Sequence, residues 1–373
     1  MNARSVEPDT GVGEPDVDEG MASSPDLGGA PSPDGGDAGQ RPPPADMNVG
    51  GPDQGNATPP NDAGMQQPSD AMVMTPDAFV PPPIEGPRPV IYTRDLPIEQ
   101  IIGQVQVASA GSLWSVMPDT PGSAQPLLQL DGAAALMPHL SPDGTQVVFA
   151  SNRAHAGDGP RPLDLWVLDR TTMQLRQLTD LPGHAWTPAW SPDGRQVAFA
   201  STQANPNSDA VWNFDVWVVN ADGTGARPLY EGVGQDEDPV FSVDGRRIYF
   251  MAEARIDGCF FQVWQVDLAE GAAPAGPVFD GAGNALCGED PSPSTDGTRL
   301  YFINRGNWYA LVFATGEVER IGVLIEPWIG PEGRRYVYMN EGAIWMGHLD
   351  GTPAGPITDP AADPGSPDSF PRW

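Results

Sequence analysis

Pro138-His-Leu-Ser-Pro-Asp-Gly144 returns as Pro188-Ala-Trp-Ser-Pro-Asp-Gly194, Pro239-Val-Phe-Ser-Val-Asp-Gly245 and Pro291-Ser-Pro-Ser-Thr-Asp-Gly297. A weaker copy, Pro327-Trp-Ile-Gly-Pro-Glu-Gly333, follows, and then a fragment, Pro371-Arg-Trp373. Self-similarity at a spacing of 36 to 52 residues marks a repeat architecture. Around each phrase the same four strands can be read. Strand A carries the Pro-x-Trp-type entry. A Ser-Pro-Asp-Gly turn follows, in which Pro presets φ, Asp bonds neighbouring backbone and Gly supplies the positive φ that closes a hairpin.

Strand B is a near-continuous apolar run: Gln146-Val-Val-Phe-Ala150, Gln196-Val-Ala-Phe-Ala200, Arg247-Ile-Tyr-Phe-Met251, Arg299-Leu-Tyr-Phe-Ile303 and Arg335-Tyr-Val-Tyr-Met339. Such runs suit strands buried on both faces. Strand C holds an aromatic at a fixed place: Trp166, Trp217, Trp264, Tyr309 and Trp345. Strand D ends the unit, as in Leu175-Arg-Gln-Leu-Thr179, Arg227-Pro-Leu-Tyr230 and Gly355-Pro-Ile-Thr358. Four short antiparallel strands, repeated, make a β-propeller blade.

Residues 105–130 read as strands B, C and D without an A, with Val105-Gln-Val-Ala-Ser109 as B and Trp114 as the C-strand aromatic. Phe370-Pro-Arg-Trp373 reads as an A strand alone. Joined, they predict an all-β, six-bladed propeller whose C-terminal strand pairs with the N-terminal blade and leaves no open sheet edge in the ring.

Residues 1–96 are crowded with Pro, Gly, Asp and Ser and hold one aromatic, Phe79, before Tyr92. They cannot bury enough apolar surface to offset their ordering entropy, so a disordered acidic tail is expected over 1–96 and the propeller over 97–373. The net charge is −31. The tail has 16 acids and 4 arginines, the remainder 34 acids and 15 arginines, and the chain has no lysine. No basic stripe is offered to phosphates, which argues against nucleic acid and against an anionic membrane surface. No run of 18 apolar residues predicts a membrane span.

Met1-Asn-Ala-Arg-Ser-Val-Glu-Pro8 lacks the apolar core of a signal peptide and by itself reads as cytoplasmic. A long acidic Pro/Gly tail ahead of a β-domain nevertheless has the character of an exported lipoprotein's stalk. The expectation is a leader and any lipidated cysteine upstream of Met1, and a periplasmic, outer-membrane-associated or extracellular protein.

The phrase, the apolar B strand and the aromatic C strand resemble the WD40-like (PD40) propeller repeats of the TolB family over residues 98–373. Thr179 and Thr358 stand where that family often ends strand D. Val243 and Thr295 replace the turn proline, and Gly330-Pro-Glu-Gly333 departs from the turn. The resemblance implies a periplasmic protein-binding module. TolB's separate α/β domain has no counterpart here, so its cell-division role does not carry over. Related propellers gate prolyl-oligopeptidase-type peptidases, but no Gly-x-Ser-x-Gly elbow is present.

Asp143, Asp193, Asp244 and Asp296 read as turn residues, not as a catalytic ring. The C-strand tryptophans read as packing between blades. His139, His155, His184 and His348 have no metal-ligand spacing, so no metal and no cofactor are expected. Cys259 and Cys287 fall in the B–C and D–A loops of one blade, which favours a disulfide over two free thiols. The face where those loops emerge carries the long insertions 151–163, 201–213 and 252–262, all read as loops. It also carries acids just ahead of strand A: Glu237, Asp238, Glu289, Asp290 and Glu326. With Trp186 and His184 these make the candidate site, a negative funnel for a protein or peptide partner, basic in character. The function expected is a non-catalytic binding module of the bacterial cell envelope. The alternative is a polysaccharide lyase or glycoside hydrolase using channel carboxylates and a divalent cation.

Overall fold

The computed structural model describes residues 88–94, 111–130, 132–154, 162–203, 213–256, 258–269, 271–359 and 368–373. The predicted tail, apart from Arg88–Arg94, lies outside the described residues. The chain enters through β1 (Val90–Arg94), β2 (Ser112–Val116) and β3 (Gln125–Leu128). Blade one is β4 (Leu136–Leu140), β5 (Gln146–Ser151), β6 (Asp164–Asp169) and β7 (Leu175–Gln177). Blade two is β8 (Ala185–Trp190), β9 (Gln196–Ser201), β10 (Asp215–Asn220) and β11 (Arg227–Tyr230). Blade three is β12 (Asp236–Phe241), β13 (Arg247–Ile256), β14 (Cys259–Asp267) and β15 (Gly276–Pro277). Blade four is β16 (Glu289–Pro293), β17 (Arg299–Asn304), β18 (Asn307–Val312) and β19 (Val318–Gly322). Blade five is β20 (Ile325–Ile329), β21 (Arg335–Asn340), β22 (Ala343–His348) and β23 (Gly355–Pro356). The last strand, β24 (Asp368–Arg372), joins β1, β2 and β3 to complete blade six. The described residues thus form six four-stranded antiparallel sheets. Their first strands neighbour one another in the cycle β24, β4, β8, β12, β16, β20 and back to β24, so the ring is closed.

The turn phrase behaves as its chemistry requires. In blade one the Ser141 hydroxyl donates to Asp143 Oδ1 at 2.6 Å and accepts the Gln146 amide at 2.9 Å, while Gly144 at φ 74° donates its amide to the Ser141 carbonyl. The same 2.6 Å hydroxyl–carboxylate bond recurs at Ser191–Asp193, Ser242–Asp244 and Ser294–Asp296. These aspartates are spent on the scaffold.

Strands B and C are tied by one aromatic pair per blade, directly opposite in register: Phe149–Trp166, Phe199–Trp217, Phe250–Trp264, Phe302–Tyr309, Tyr338–Trp345 and Tyr92–Trp114. Cross-strand aromatic pairs are among the stronger sheet contacts. The B-strand members fill the space between blades; Phe149, Phe199, Phe250 and Tyr92 are fully buried.

Two expectations change. The B strand of blade six is Val90–Arg94, not 105–109, which lies outside the described residues. Val90-Ile-Tyr-Thr-Arg94 is buried at every position, as a B strand must be, whereas Val105-Gln-Val-Ala-Ser109 begins with an apolar–polar alternation suited to a half-exposed strand. The propeller therefore begins before residue 97. Second, 252–262 is not a loop. β13 and β14 continue as one hairpin from Arg247↔Asp267 to Ile256↔Cys259, with Gly258 at φ 81° in the two-residue connection. The middles of the other two insertions, 155–161 and 204–212, lie outside the described residues.

Candidate functional site

The acids assigned to D–A loops lie in the A strands themselves, because every A strand is bulged at the same place. The register between A and B slips between Leu136 and His139, Trp186 and Ala189, Glu237 and Val240, Glu289 and Ser292, and Ile325 and Trp328. The cause is the phrase's proline, which has no amide for the ladder. The residue before it absorbs the extra length: Met137, Thr187, Asp238, Asp290 and Phe370 all have φ between 42° and 51°. Non-glycine residues seldom adopt that left-handed region, yet five consecutive members of this set do so in an innermost strand. Glu326 precedes Pro327 at the same position of blade five; its side chain lies outside what is described.

The bulge brings Asp238 and Asp290, from adjacent blades, into hydrogen-bonding reach of each other. Both residues are half-buried. Burial, the Asp290 charge and the Glu237 charge push the Asp238 carboxyl well above its ordinary range, opposed by Arg372. Burial also raises Asp290, against Arg372 and the Asp238 hydrogen bond. Both carboxyls are thus held above the ordinary aspartate range, as two acids packed against each other must be. Glu237, 8% exposed, accepts from Gln235 Nε2 at 3.3 Å, and burial raises its carboxyl to about 7. Burial and then Asp290 raise Glu289.

These acids have a cationic neighbour. β24 inserts Arg372, whose guanidinium lies 4.2 Å from the centre of the Trp328 ring and whose charge acts on Asp238, Asp290 and His139. Burial, then Arg372 and Arg88, lower the His139 imidazole to about 3, so it is neutral; its Nδ1 accepts the Trp190 amide at 3.1 Å. The acids occupy an arc on blades three and four, while Met137, Thr187 and Phe370 hold the matching bulge positions on blades one, two and six. No sequence pattern signals Arg372 as a site residue, since its place at the acids is fixed only when the ring closes.

His184 and Trp186 are part of the frame. The His184 Nδ1 accepts the Leu163 amide at 3.2 Å, and Trp186 packs on the cluster between blades one and two. Cys259 and Cys287 are bonded, their Cα atoms 5.4 Å apart. Beside them a cleft of about 760 Å³ is lined by Ile256, Phe260, Phe261, Glu289 and Arg305. Arg305 Nη2 reaches across to the Gly258 carbonyl at 2.9 Å and braces the hairpin tip. Ile256 and Phe260 are more than half exposed.

A second acidic group sits between blades two and three. Asp215 opens β10 and Asp236 opens β12, each 1% exposed. Burial raises Asp215 to about 6, helped by Glu231 and opposed by the Gly232 amide. Burial and the Asp215 charge raise Asp236 to about 7. Reading single repeats could not join two residues that meet only across a blade interface.

Residues 107–342 match the family described as the TolB beta propeller domain. The chain belongs to the TolB propeller family. Among solved structures, this TolB-type propeller is similar to TolB from Acinetobacter baumannii, at 16% identity and TM-score 0.55, over 77% of this chain and 66% of that one. It is also similar to a chain of the nidogen/laminin complex, at 12% identity and TM-score 0.53, over 71% and 92%. A third similarity is to hydrazine synthase of Kuenenia stuttgartiensis, at 13% identity and TM-score 0.58, over 77% and 46%. It thus spans less than half of that last protein and about two thirds of the Acinetobacter one. At these identities the likeness is one of fold. No curated protein matches the sequence. Among the described residues of this TolB-type propeller, no helix is long and apolar enough to cross a membrane.

Proposed function

We propose that this TolB-type propeller is a non-catalytic binding module of the bacterial cell envelope. Its ligand is a protein segment that places an apolar side chain in the cleft beside the disulfide and a basic side chain at the acidic arc. One observation carries the reading: Glu289 belongs to both features. It lines the cleft with Ile256 and Phe260, and burial and then the Asp290 charge of the arc raise its carboxyl. An exposed apolar anchor next to buried, mutually repelling carboxylates favours a cationic, partly apolar ligand.

A glycosidase reading is served less well by these carboxylates. Retaining enzymes hold their two carboxyl groups ~5 Å apart and inverting enzymes ~6.5–9.5 Å apart. Asp238 and Asp290 lie within hydrogen-bonding reach of each other, closer than either arrangement.

The test is fluorescence anisotropy with short labelled peptides that pair Arg with Phe or Leu, against the same peptides with Glu for Arg. Preference for the basic set, weakened at least tenfold by Phe260→Asp and by Glu289→Arg, supports the reading. Equal binding of both sets, or binding indifferent to both substitutions, sinks it.

A further inference from the structure

Among the described residues, two charged side chains line the cleft beside the disulfide, and they are of opposite sign: Glu289 and Arg305. Arg305 stands on the connection of the β17–β18 hairpin. There Asn304 pairs with Asn307, and Arg305 and Gly306 hold φ of 51° and 70°. Left-handed values at both central residues suit the two-residue link of a tight hairpin. Blade five builds the same link from Glu341 and Gly342, at 51° and 77°, between Asn340 and Ala343. The turn therefore fixes where this side chain starts and leaves its charge free to vary. The fold does not demand an arginine here.

The Arg305 guanidinium is only partly engaged. Its Nη2 donates to the Gly258 carbonyl at 2.9 Å, and no carboxylate among the described residues pairs with it. Arg299 on the same hairpin is paired with Glu319, and Arg247 on the neighbouring blade with Asp267. A guanidinium presents five donors in a planar fork that matches a carboxylate. One backbone carbonyl leaves most of that fork unused. Around it the cleft is apolar, with Ile256, Phe260, Phe261 and Ile303, while Asn304 adds a neutral amide. At about 760 Å³ the cleft is of the size that takes a small ligand or a chain end.

Charge complementarity then selects the occupant. An apolar group gains from Ile256 and Phe260, an anion beside it gains from Arg305, and a cation gains from Glu289 and the arc. Elsewhere the surface repels anions, since residues 97–373 hold 34 acids against 15 arginines. A chain terminus carries an apolar side chain and a carboxylate on one α-carbon, so both reach a single small cleft together. An internal acidic residue brings its carboxylate on a side chain of its own and leaves the apolar wall to a neighbour. Capture of a C-terminal carboxylate is an established mode of peptide recognition.

We propose that the cleft receives the C-terminus of the partner. The last side chain, apolar, lies against Ile256 and Phe260, the terminal carboxylate meets Arg305, and a basic residue just before it reaches Glu289 and the arc. This rests on the reading of the propeller as a binding module and narrows its ligand to a chain end.

Fluorescence anisotropy on the full chain separates the two claims with three N-terminally labelled peptides of equal length. The first ends in Arg-Gly-Leu with a free carboxylate, the second is its C-terminal amide, and the third has Glu for the Arg. The first should bind about tenfold or more tighter than the amide, as loss of a charge-assisted hydrogen bond requires. Arg305→Met should erase that difference, and Arg305→Lys, which keeps the charge without the fork, should restore part of it. The wild-type comparison alters only the ligand, so it does not depend on the folding of any variant. Equal binding of acid and amide, with the basic peptide still preferred over the third, overturns the chain-end inference and leaves the binding module standing. An acid preference that Arg305→Met retains overturns it as well. Failure of all three peptides to bind overturns both claims.

Discussion

Arg94 and Asp368, 274 residues apart, close the propeller. The guanidinium spans both carboxylate oxygens, is buried at 5% exposure against 0% for its partner, and stacks 4.1 Å from the centre of the Trp114 ring. The bond joins β24 to β1 at the register pair Arg94↔Asp368, where the last strand meets the first.

Breaking that pair on one side leaves a buried, uncompensated charge, which costs ~3–5 kcal/mol. Asp368→Ala and Arg94→Ala should each lower the urea midpoint by that equivalent. The double change Arg94→Met with Asp368→Leu should recover most of the loss, because apolar replacement of both partners removes the desolvation penalty. Removing Phe370–Trp373 should be worse than either single change, since it strips the A strand of blade six and Trp373 from the core it shares with Val337 and Ile344. An unchanged melting curve for the truncated chain would contradict closure.

The disulfide fixes the blade-three hairpin to the connection before β16. It closes a loop of 28 residues, for which chain entropy gives about 3–4 kcal/mol. Cys287→Ser should lower stability by that order and reduce peptide binding in the neighbouring cleft. Protein matured in an oxidising compartment should show no titratable thiol under denaturing conditions; two thiols there would remove the bond from the account.

Stability should rise on acidification from pH 7.5 to about 5. Asp236 and Glu237 have folded-state values of about 7, above their values in the unfolded chain. Between the two values the folded state binds more protons, so stability falls as pH rises through the window and levels off above the folded value. Asp236→Asn and Glu237→Gln should each flatten the slope, measured as urea midpoint against pH. A slope of the opposite sign that neither substitution changes would place the titration elsewhere.

Most of the frame was legible because a propeller blade repeats its chemistry. The Ser-x-Asp-Gly turn, the apolar B strand and the C-strand aromatic each follow from local physics, and six C-strand aromatics count six blades. What escaped was set by tertiary context. Val90–Arg94 is hidden between Pro89 and a further proline at Pro97, so composition averages it into the tail. The bulge before each phrase's proline was implicit in proline's missing amide, but its effect, turning Asp238 and Asp290 toward each other, needs neighbouring blades. Asp215 and Asp236 meet only across such an interface.

The turn aspartates should report on folding alone. Asp193 accepts the Ser191 hydroxyl at 2.6 Å and the Arg195 amide at 3.0 Å, at the opposite end of the strands from the acidic arc. Asp193→Ala should cost ~1 kcal/mol, as loss of a modest hydrogen-bonded turn does, and leave peptide affinity unchanged. A binding defect without a stability defect would move the site to that end of the ring.

Arg372 is the counter-charge that any basic ligand must displace or accommodate. It rests on Trp328 at 4.2 Å and lowers the carboxyls of Asp238 and Asp290 against their burial. Arg372→Ala should therefore act in two directions. Without a ligand, the Asp238–Asp290 pair loses the cation that lowers both carboxyls, so they are held further above their ordinary range and stability near pH 8 falls more than at pH 5. With a basic peptide, the vacated charge is supplied by the ligand, and affinity should rise by about tenfold, equivalent to ~1.4 kcal/mol, with a steeper dependence on salt. Asp238→Asn with Asp290→Asn should do the reverse, weakening the peptide and flattening its salt dependence. If Arg372→Ala weakens binding instead, the ligand's charge is negative, and the arginine rather than the acids is what it contacts.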